Sequence, residues 1–343
     1  MTASDSIDLD LSLGDGPPPP LDESVALTRY PVLREFRARL GGTPLIEVPG
    51  PASGARVLAK YEMANPLGSV KDRVAFALLC QAVADHDEST GPLRLVDFSG
   101  GNMARALGRL GKLTGIPIRF AVPSTIPDSW RAALLADGVR LDLVDAELFI
   151  LGIIQRATEI GALEPEWTVL GQHRNLVNLG VHEHMTGAEI VEQLGTTTPS
   201  CWVAAVGTGG TLAGVARALR LRVPNLRIVG VTPAEMPYGT SAAPNGERKI
   251  AGSGGLGYGL RQPFVRTHVP GAEHRGVRLG DALAAMAEFR ELTGTRIGTS
   301  AAANWIVARQ IAANLSPAET VVTLFPDAGT AEDWARVDSV DAD

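Results

Sequence analysis

The sequence predicts an α/β protein built on mostly parallel sheets. Between residues 69 and 325, apolar runs typical of strands alternate with amphipathic segments typical of helices. This alternation indicates parallel sheets wrapped by helices. The strand runs are mostly unbroken apolar stretches, which is the pattern of strands covered on both faces. Polar or glycine-rich loops lie at several strand-to-helix junctions, where such sheets bind their ligands.

The N-terminal 25 residues differ from the rest of the chain. Four aspartates precede the proline run Pro17–Pro20. A segment of this composition cannot bury a core, so we expect it to be disordered or loosely draped. Leu33, Phe36 and Leu40 then recur at helical spacing and predict a short amphipathic helix.

The other elements follow in order along the chain. Short apolar runs bounded by turn residues predict strands at residues 43–48, 56–61, 93–98, 118–122, 141–144, 202–206, 226–231 and 320–325. Apolar residues at three- and four-residue steps predict helices from Ser69 onward, around Leu212–Leu219, and at residues 102–113, 128–136, 147–160, 181–194, 279–292 and 302–313.

Composition excludes several classes of protein. The chain has 343 residues, of which 45% are hydrophobic and 20% charged, as in ordinary globular enzymes. No apolar run approaches the ~18 residues of a membrane span, and a net charge of −7 argues against a nucleic-acid surface. Cys80 and Cys201 belong to no CxxC pair, so neither a disulfide framework nor a metal site is predicted. With no signal-peptide pattern, we expect a cytoplasmic protein.

The stretch KYEMANPLGSVKDR at residues 60–73 carries the most specific chemistry. It predicts a strand, a turn punctuated by proline and glycine, and a helix with Ser69 as its N-cap. Lys71 then lies in the first helical turn. There the helix dipole disfavours a cation and favours the neutral amine that attacks carbonyls.

This stretch resembles the cofactor-lysine motif of the cysteine synthase and cystathionine β-synthase family, fold-type II enzymes that use pyridoxal 5'-phosphate (PLP). The resemblance covers roughly residues 41–330, and it implies that Lys71 forms the Schiff base with PLP. Ala64 and Leu67 depart from the family's usual aromatic and small residues.

The resemblance also implies an architecture of two three-layer α/β/α lobes, as in the tryptophan synthase β fold. Residues 41–55 and 176–335 would form a larger domain that binds the PLP phosphate. Residues 56–175 would form a smaller, mobile domain with the lysine and the substrate loop. Residues 1–40 would be a partly disordered N-terminal extension. A homodimer is implied as well.

A glycine-rich loop, GTGGT at residues 207–211, follows one predicted strand and opens a helix. Glycines permit close backbone approach to an anion, and the helix N-terminus supplies positive potential. Alone, the loop is also compatible with a plain tight turn. Beside Lys71 it resembles the family's phosphate-binding loop, which implies PLP contacts for Gly207, Thr208, Gly209, Gly210 and Thr211.

The segment DFSGGNMA at residues 97–104 resembles the family's substrate loop. Asn102 is implied to contact the phenolic oxygen of PLP, although an asparagine helix cap explains it equally well in isolation. Substrate contacts are implied for Ser99, Gly100, Gly101, Met103 and, from a later segment, Gln172. At positions 100, 103 and 104 glycine, methionine and alanine replace the family's serine, threonine and glycine, which leaves the identity of the substrate open.

Two later segments complete the resemblance. The segment GGLGYGL at residues 254–260 resembles a loop that closes over the cofactor, and GTSAA at residues 298–302 resembles the segment whose serine contacts the pyridine nitrogen. Ser300 is therefore implied to bind that nitrogen. A neutral hydroxyl does not hold the ring protonated as an aspartate would, which makes transaminase or racemase chemistry less favoured. His182 and His184, two residues apart, do not have the spacing of a metal pair on a helix.

The implied function is PLP-dependent β-replacement on an activated serine, such as O-acetylserine or O-phosphoserine, through an aminoacrylate. Lys71 would hold PLP and, once freed, act as the general base for the Cα proton. Sulfide, which would give cysteine, is the default nucleophile; a thiol, ammonia or another amine stays open. The implied partners are thus a small amino acid and a small nucleophile.

Two other functions also stay open. A serine/threonine dehydratase or β-eliminase is one, although its usual lysine motif lacks the Asp72-Arg73 pair. The other is a non-catalytic protein that binds PLP or a partner, with the acidic, proline-rich tail as its docking element. The presence of Lys71, Asn102 and Ser300 argues against the latter.

Overall fold

The computed structural model describes residue 13 and residues 16–239 and 260–340. In chain order its strands are β1 Leu45–Val48, β2 Arg56–Tyr61, β3 Leu95–Phe98, β4 Ile118–Pro123, β5 Arg140–Val144, β6 Thr168–Val169, β7 Cys201–Ala205, β8 Arg227–Pro233, β9 Glu273–Val277 and β10 Thr320–Phe325.

The α-helices of the same residues are α1 Ser24–Arg29, α2 Leu33–Arg39, α3 Lys71–Asp85, α4 Asn102–Thr114, α5 Asp128–Ala136, α6 Phe149–Leu163, α7 Leu176–Val181, α8 Ala188–Leu194, α9 Gly210–Arg220, α10 Pro263–His268, α11 Leu279–Thr293, α12 Thr299–Ala312 and α13 Ala331–Val340. A π-helical turn at His182–Gly187 joins α7 to α8. None of these helices is both long and apolar enough to cross a membrane.

The strands form two sheets, and the predicted mixed α/β class with mostly parallel strands is confirmed. Six strands are ordered β1-β2-β10-β7-β8-β9, and four are ordered β5-β4-β3-β6. Every pairing is parallel except that between β1 and β2. The strands are parallel because the helical crossovers return the chain to the same end of the sheet before each new strand begins.

Helices cover both faces of each sheet. In β10, Val321 and Phe325 pack with the α11 and α12 side of the six-stranded sheet. Val322 and Leu324, at the alternate positions, pack with the side of α9 and α10. In the smaller sheet, α3 and α4 cover one face and α6 covers the other. Burial on both faces explains why these strands are unbroken apolar runs in the sequence.

One predicted boundary disagrees with the strand pairing. The division at residue 56 assigns Arg56–Tyr61 to the smaller domain, yet β2 pairs with β1 and β10 in the six-stranded sheet. The chain enters the smaller layer only with α3, whose apolar residues pack against α4. The residues from Arg56 to Tyr61 therefore belong with the larger sheet. The mobility of the smaller domain remains a prediction.

Several elements were not predicted from the sequence. These are α1, α10, α13, the two-residue strand β6 and the edge strand β9. The helix predicted at residues 181–194 begins earlier in the structure. There α7, the π-helical turn and α8 follow one another without a break from Leu176 to Leu194. Of the predicted loop at residues 254–260, all but Leu260 lies outside the described residues.

Part of the N-terminal extension is docked on the rest of the protein, at the π-helical turn and beside α3. Pro18 is buried, and its carbonyl oxygen lies 3.1 Å from Nε2 of His184. Leu33 and Phe36 of α2 are buried in the core beside α3. Of the expected tail, residues 1–12 and 14–15 lie outside the described part of the chain.

Candidate active site

A cleft opens at the carboxyl ends of β7 and β10, where the sequence predicts ligand binding. It encloses ≈ 480 Å³, part of which is open to solvent. Its lining includes six of the predicted site residues, namely Lys71, Asn102, Gly207, Thr208, Gly209 and Thr211. Asn304, Leu324 and Asp327 are among the remaining lining residues. The structure thus brings the lysine, the asparagine and the glycine-rich loop to one cavity.

Lys71 is the first residue of α3 and lies at the edge of this cleft. Ser69 precedes the helix, and its hydroxyl accepts a hydrogen bond from Lys71 N over 3.2 Å. Burial lowers the pKa of the Lys71 amine to about 8, while the carboxylates of Asp327 and Asp97 oppose that shift. The amine therefore reaches its neutral, nucleophilic form near physiological pH, and burial is the main cause.

A buried ionic network fixes the helix that carries Lys71. Arg73 donates to Glu62 over 2.7 and 2.8 Å, and to Glu189 of α8 over 2.7 and 2.8 Å. Lys60 of β2 donates to Glu189 over 2.7 Å. Burial alone would raise the pKa of Glu189, but Arg73 and Lys60 lower it to about 2. The side chains of Arg73, Glu62 and Lys60 are 0% exposed, so the first turn of α3 is tied to the larger sheet and α8.

The glycine-rich loop has the geometry of an anion site. Gly209 has φ +85° and caps α9, which starts at Gly210. The Thr208 hydroxyl accepts from Asn178 Nδ2 over 3.1 Å and from Gly210 N over 3.3 Å. A Cβ on Gly210 would lie 2.5 Å from Asn178 Oδ1, so a side chain has no room there. The N-terminal amides of α9 and two threonine hydroxyls are suited to the phosphate of PLP.

His182 contacts this loop at Thr211. Its Nε2 lies 3.2 Å from the Thr211 hydroxyl oxygen, and its Nδ1 lies 3.0 Å from the Thr186 hydroxyl oxygen. Burial lowers the pKa of His182 well below 6.5, so the ring is neutral at physiological pH. The contact with Thr211 gives His182 a structural role beside the loop.

The start of α12 carries buried polar atoms that have no partner among the described residues. Ser300 is 1% exposed and does not line this cleft, and within residues 16–239 and 260–340 neither its hydroxyl nor that of Thr299 has a hydrogen-bond partner. One turn later, Asn304 lines the cleft and donates through Nδ2 to Leu324 O over 2.8 Å, but its Oδ1 has no partner in the part of the chain that the structure describes. Unpartnered buried polar atoms are costly. Together with the amine and the phosphate loop, they fit a polar aromatic cofactor such as PLP.

The predicted substrate residues lie around the loop between β3 and α4. The Ser99 hydroxyl accepts from Gly101 N over 3.1 Å, and Gln172 Nε2 donates to Phe98 O over 2.8 Å. Neither Ser99 nor Gln172 lines the cleft described here. Met103 is 1% exposed and packs in the core between α3 and α4, so its side chain supports the loop from inside.

Two acidic residues of this region were not predicted from the sequence. Asp97, near the end of β3, is 0% exposed, and its Oδ1 accepts from Phe98 N. Burial raises the pKa of Asp97 to about 7, against the opposing effects of backbone N–H groups and Lys71. Asp327 accepts a hydrogen bond from Asn102 Nδ2 over 2.8 Å. The only sequence signal for these roles was their position at the carboxyl ends of predicted strands.

The chain is similar to known proteins over most of its length. A family model described as pyridoxal-phosphate dependent enzyme matches residues 37–327, a range that contains every residue lining the cleft. A cysteine synthase of Staphylococcus aureus is 31% identical over 298 residues, covering 84% of this chain and 92% of that protein.

Solved structures extend this similarity to the fold. O-acetylserine sulfhydrylase isoform 3 from Entamoeba histolytica is 28% identical with a TM-score of 0.75, covering 86% of this chain and 88% of that one. The O-acetylserine dependent cystathionine β-synthase from Helicobacter pylori is 25% identical with a TM-score of 0.76, covering 88% and 96%.

Proposed function

The chain belongs to the family of pyridoxal-phosphate dependent enzymes, and from that membership we propose that it catalyses β-replacement on an activated serine of the O-acetylserine type. The observation that carries the proposal is the convergence of Lys71, Asn102 and the 207–211 loop on one cleft. The similar proteins named as a cysteine synthase and as enzymes of O-acetylserine support this substrate class.

PLP, when bound, supplies an aldehyde that captures an amino acid and a ring that withdraws electrons from its Cα–H bond. In our proposal Lys71 binds that aldehyde and later holds the Cα proton as general base, for which a pKa of about 8 is well matched. The amides and hydroxyls of residues 207–211 would hold the phosphate at the start of α9. Asn102 would orient the ring from the smaller layer.

Ser300 argues for β-replacement over reactions that need a strong electron sink. Its hydroxyl is neutral and buried, and none of the described residues hydrogen-bonds to it, so it can meet the ring nitrogen without fixing a proton on it. Such a contact suits rapid departure of a β-leaving group more than transamination or racemisation. Ser300 therefore supports the reaction class, while its contact with the cofactor is part of the proposal.

Within this reaction class, the nucleophile and the leaving group define the particular reaction. Sulfide is the default nucleophile, because the similar proteins include a cysteine synthase and a sulfhydrylase. At Gly100, where the family's usual residue is serine, a Cβ would lie 3.1 Å from Pro123 Cδ. This crowding gives a physical reason for the glycine and leaves the substrate loop with one hydroxyl fewer.

Rapid-mixing absorbance of the purified holoenzyme tests the function. O-acetylserine, O-phosphoserine, serine and cysteine are mixed separately with the protein, and the visible band of bound PLP is followed. We expect an activated serine to change the band and sulfide to restore it with release of cysteine. Lys71→Ala should lack the visible band of lysine-bound PLP. An unchanged band in that variant would refute the assignment of Lys71.

Oligomeric state and location belong to the same proposal. We propose a homodimer in the cytoplasm, on the resemblance to the family and on two cysteines that are both free and buried. Light scattering of the purified chain tests the dimer, and fractionation of cells that express it tests the location.

A further inference from the structure

A single turn after β10 touches two other segments of the candidate site. Val70 N donates to Pro326 O over 2.9 Å, immediately before the cofactor lysine. Gly298 N donates to Asp327 O over 3.0 Å, immediately before α12. The turn formed by Pro326 and Asp327 therefore fixes the backbone at the start of both helices.

The carboxylate of Asp327 is held in one orientation within this turn. Its Oδ2 accepts from Asn102 Nδ2 over 2.8 Å, and its Oδ1 accepts from Gly329 N over 2.9 Å. A Cβ on Gly298 would lie 2.0 Å from Oδ1, so only a glycine leaves room for the carboxylate. Asp327 is 5% exposed and lines the cleft. The site thus contains a fixed negative charge that contacts the smaller layer through Asn102.

We propose that Asp327 is a positioning residue for the reaction: it orients the Asn102 carboxamide toward the cofactor and, as a carboxylate in the cleft that Lys71 lines, favours the charged form of the amine. This inference rests on the proposed function. A carboxamide nitrogen carries two hydrogens, so when Asp327 accepts one from Asn102, the other is available to the ligand. The hydrogen bond spans 225 residues of sequence and joins the smaller layer to the larger sheet.

The charges around Lys71 come from several elements. Asp97 at the end of β3 and Asp327 after β10 both raise the pKa of Lys71, whereas burial, the larger effect, lowers it to about 8. His182 of the π-helical turn is neutral, because burial lowers its pKa well below 6.5. On α3 itself, the Asp72 carboxylate accepts hydrogen bonds from Leu67 N and from the Ser69 hydroxyl, in the segment that precedes the helix. Removing the charge of Asp327 should lower the pKa of Lys71 further, so that the neutral amine forms at lower pH.

Two substitutions change the charge of Asp327 and its hydrogen bonds to different extents. Asp327→Asn keeps the shape of the side chain, removes the charge and leaves one acceptor oxygen in place of two, whereas Asp327→Ala removes the charge and both acceptors. The full-length chain is stripped of PLP, and the rate at which added PLP develops its visible band is measured against pH. Free PLP titrates identically in every sample, so differences between variants report on the protein.

We expect both variants to shift the midpoint of this pH profile downward, by about half to one pH unit. Asp327→Ala should also weaken PLP binding about tenfold, and Asp327→Asn by less, because a lost hydrogen bond to a charged group has this size. If both variants only lower the melting temperature and the pH midpoint stays in place, Asp327 is merely structural and the inference is wrong.

A double-mutant cycle tests the route through Asn102. If Asp327 acts through that carboxamide, Asn102→Ala and Asp327→Ala together weaken PLP binding no more than the stronger single change. Additive losses would overturn this route. A wild-type chain that develops no visible band with PLP, or a Lys71→Ala variant that does, would instead refute the proposed function.

Discussion

Nε2 of His182 lies 3.2 Å from the hydroxyl oxygen of Thr211, and this contact joins the π-helical turn to the N-terminus of α9. The ring is fully buried, and Thr186 holds its other nitrogen at 3.0 Å. An imidazole fixed at both nitrogens limits the rotation of the Thr211 hydroxyl at the proposed phosphate site. π-Helical turns are rare in proteins and are frequent at functional sites.

Replacing His182 should change how stability depends on pH. Burial lowers the pKa of His182 well below 6.5, so the unfolded chain binds a proton that the folded chain does not. Stability therefore falls as pH drops below 6.5, by about 1.4 kcal/mol at pH 5.5 for this group alone. In His182→Asn this contribution is absent, so the stability advantage of the wild type should shrink between about pH 7.5 and pH 5.5. Urea unfolding of both proteins at the two pH values measures this change in the stability difference.

Thr211→Val is the matched control for that experiment. It removes the contact with His182 and keeps the imidazole, so its stability should follow the wild-type pH dependence. Parallel pH profiles for the wild type and His182→Asn would contradict the prediction, because they would mean that the folded chain accommodates the proton.

Removing the Arg73 guanidinium should be strongly destabilising. Arg73→Met leaves Glu62 at 0% exposure and Glu189 without their shared partner. Breaking a buried ion pair from one side costs about 3–5 kcal/mol. Arg73→Lys keeps the charge but loses the planar fork of donors, so a smaller loss is expected. Urea unfolding monitored by circular dichroism gives the free energies.

An exposed arginine provides the comparison for Arg73. Arg227 pairs with Glu273 at 2.7 Å on the surface, with 37% and 43% of the two side chains exposed. Arg227→Met should cost less than about 1 kcal/mol. Equal losses at positions 73 and 227 would show that the buried network does not hold α3 in place.

Much of the fold could be predicted because burial on both faces leaves a clear pattern. The bounds of Thr320–Phe325 and Asp128–Ala136 were predicted as the structure has them. The edge strand Glu273–Val277 was missed, because its mostly polar sequence matches neither a buried nor an alternating strand.

The candidate site was predictable only in part, for a related reason. Lys71 and the 207–211 loop are local signals, since each places its chemistry at a strand-to-helix junction. The pairing of Asn102 with Asp327 is a product of how two sheets pack, and no spacing in the sequence encodes it. The free acceptor of Asn304 likewise depends on the position of Leu324 O.

Adding a methyl group at Gly209 should damage the proposed phosphate site. Gly209 has φ +85°, and a Cβ there would lie 2.6 Å from Val265 Cγ2 and 3.4 Å from Gln262 Cβ. We expect Gly209→Ala to weaken PLP binding at least tenfold, because the loop must move to relieve the contact. Fluorescence titration of the PLP-free protein with PLP measures the affinity.

Gly115→Ala controls for backbone strain alone. Gly115 ends α4 with φ +75°, and no heavy atom lies within 4 Å of the position of a Cβ. It should share the positive-φ cost of about 1 kcal/mol and leave PLP affinity unchanged. If both variants bind PLP equally well, the 207–211 loop does not hold the phosphate.

The docked part of the N-terminal extension predicts the effect of a methyl group at Gly180. A Cβ on this α7 glycine would lie 2.0 Å from Pro19 O and 3.1 Å from its carbonyl carbon, both of them backbone atoms. Gly180→Ala should therefore displace the proline segment while adding a better helix former to α7. The two effects change the free energy of unfolding in opposite directions, so global stability is a poor readout. Local amide hydrogen exchange reports on the segment directly. Because prolines have no amide hydrogen, the reporters are the amides at residues 21–29 that follow the proline run, and these should exchange faster in the variant.

Gly280→Ala is the control for helix propensity. Gly280 lies in α11, and no heavy atom lies within 4 Å of the position of its Cβ. This variant should gain up to about 1 kcal/mol of stability and leave exchange at residues 21–29 unchanged. Unchanged exchange in Gly180→Ala as well would mean that the segment does not rest on α7 in solution. Faster exchange confined to Gly180→Ala would show that the proline run is held by the helix that leads to His182.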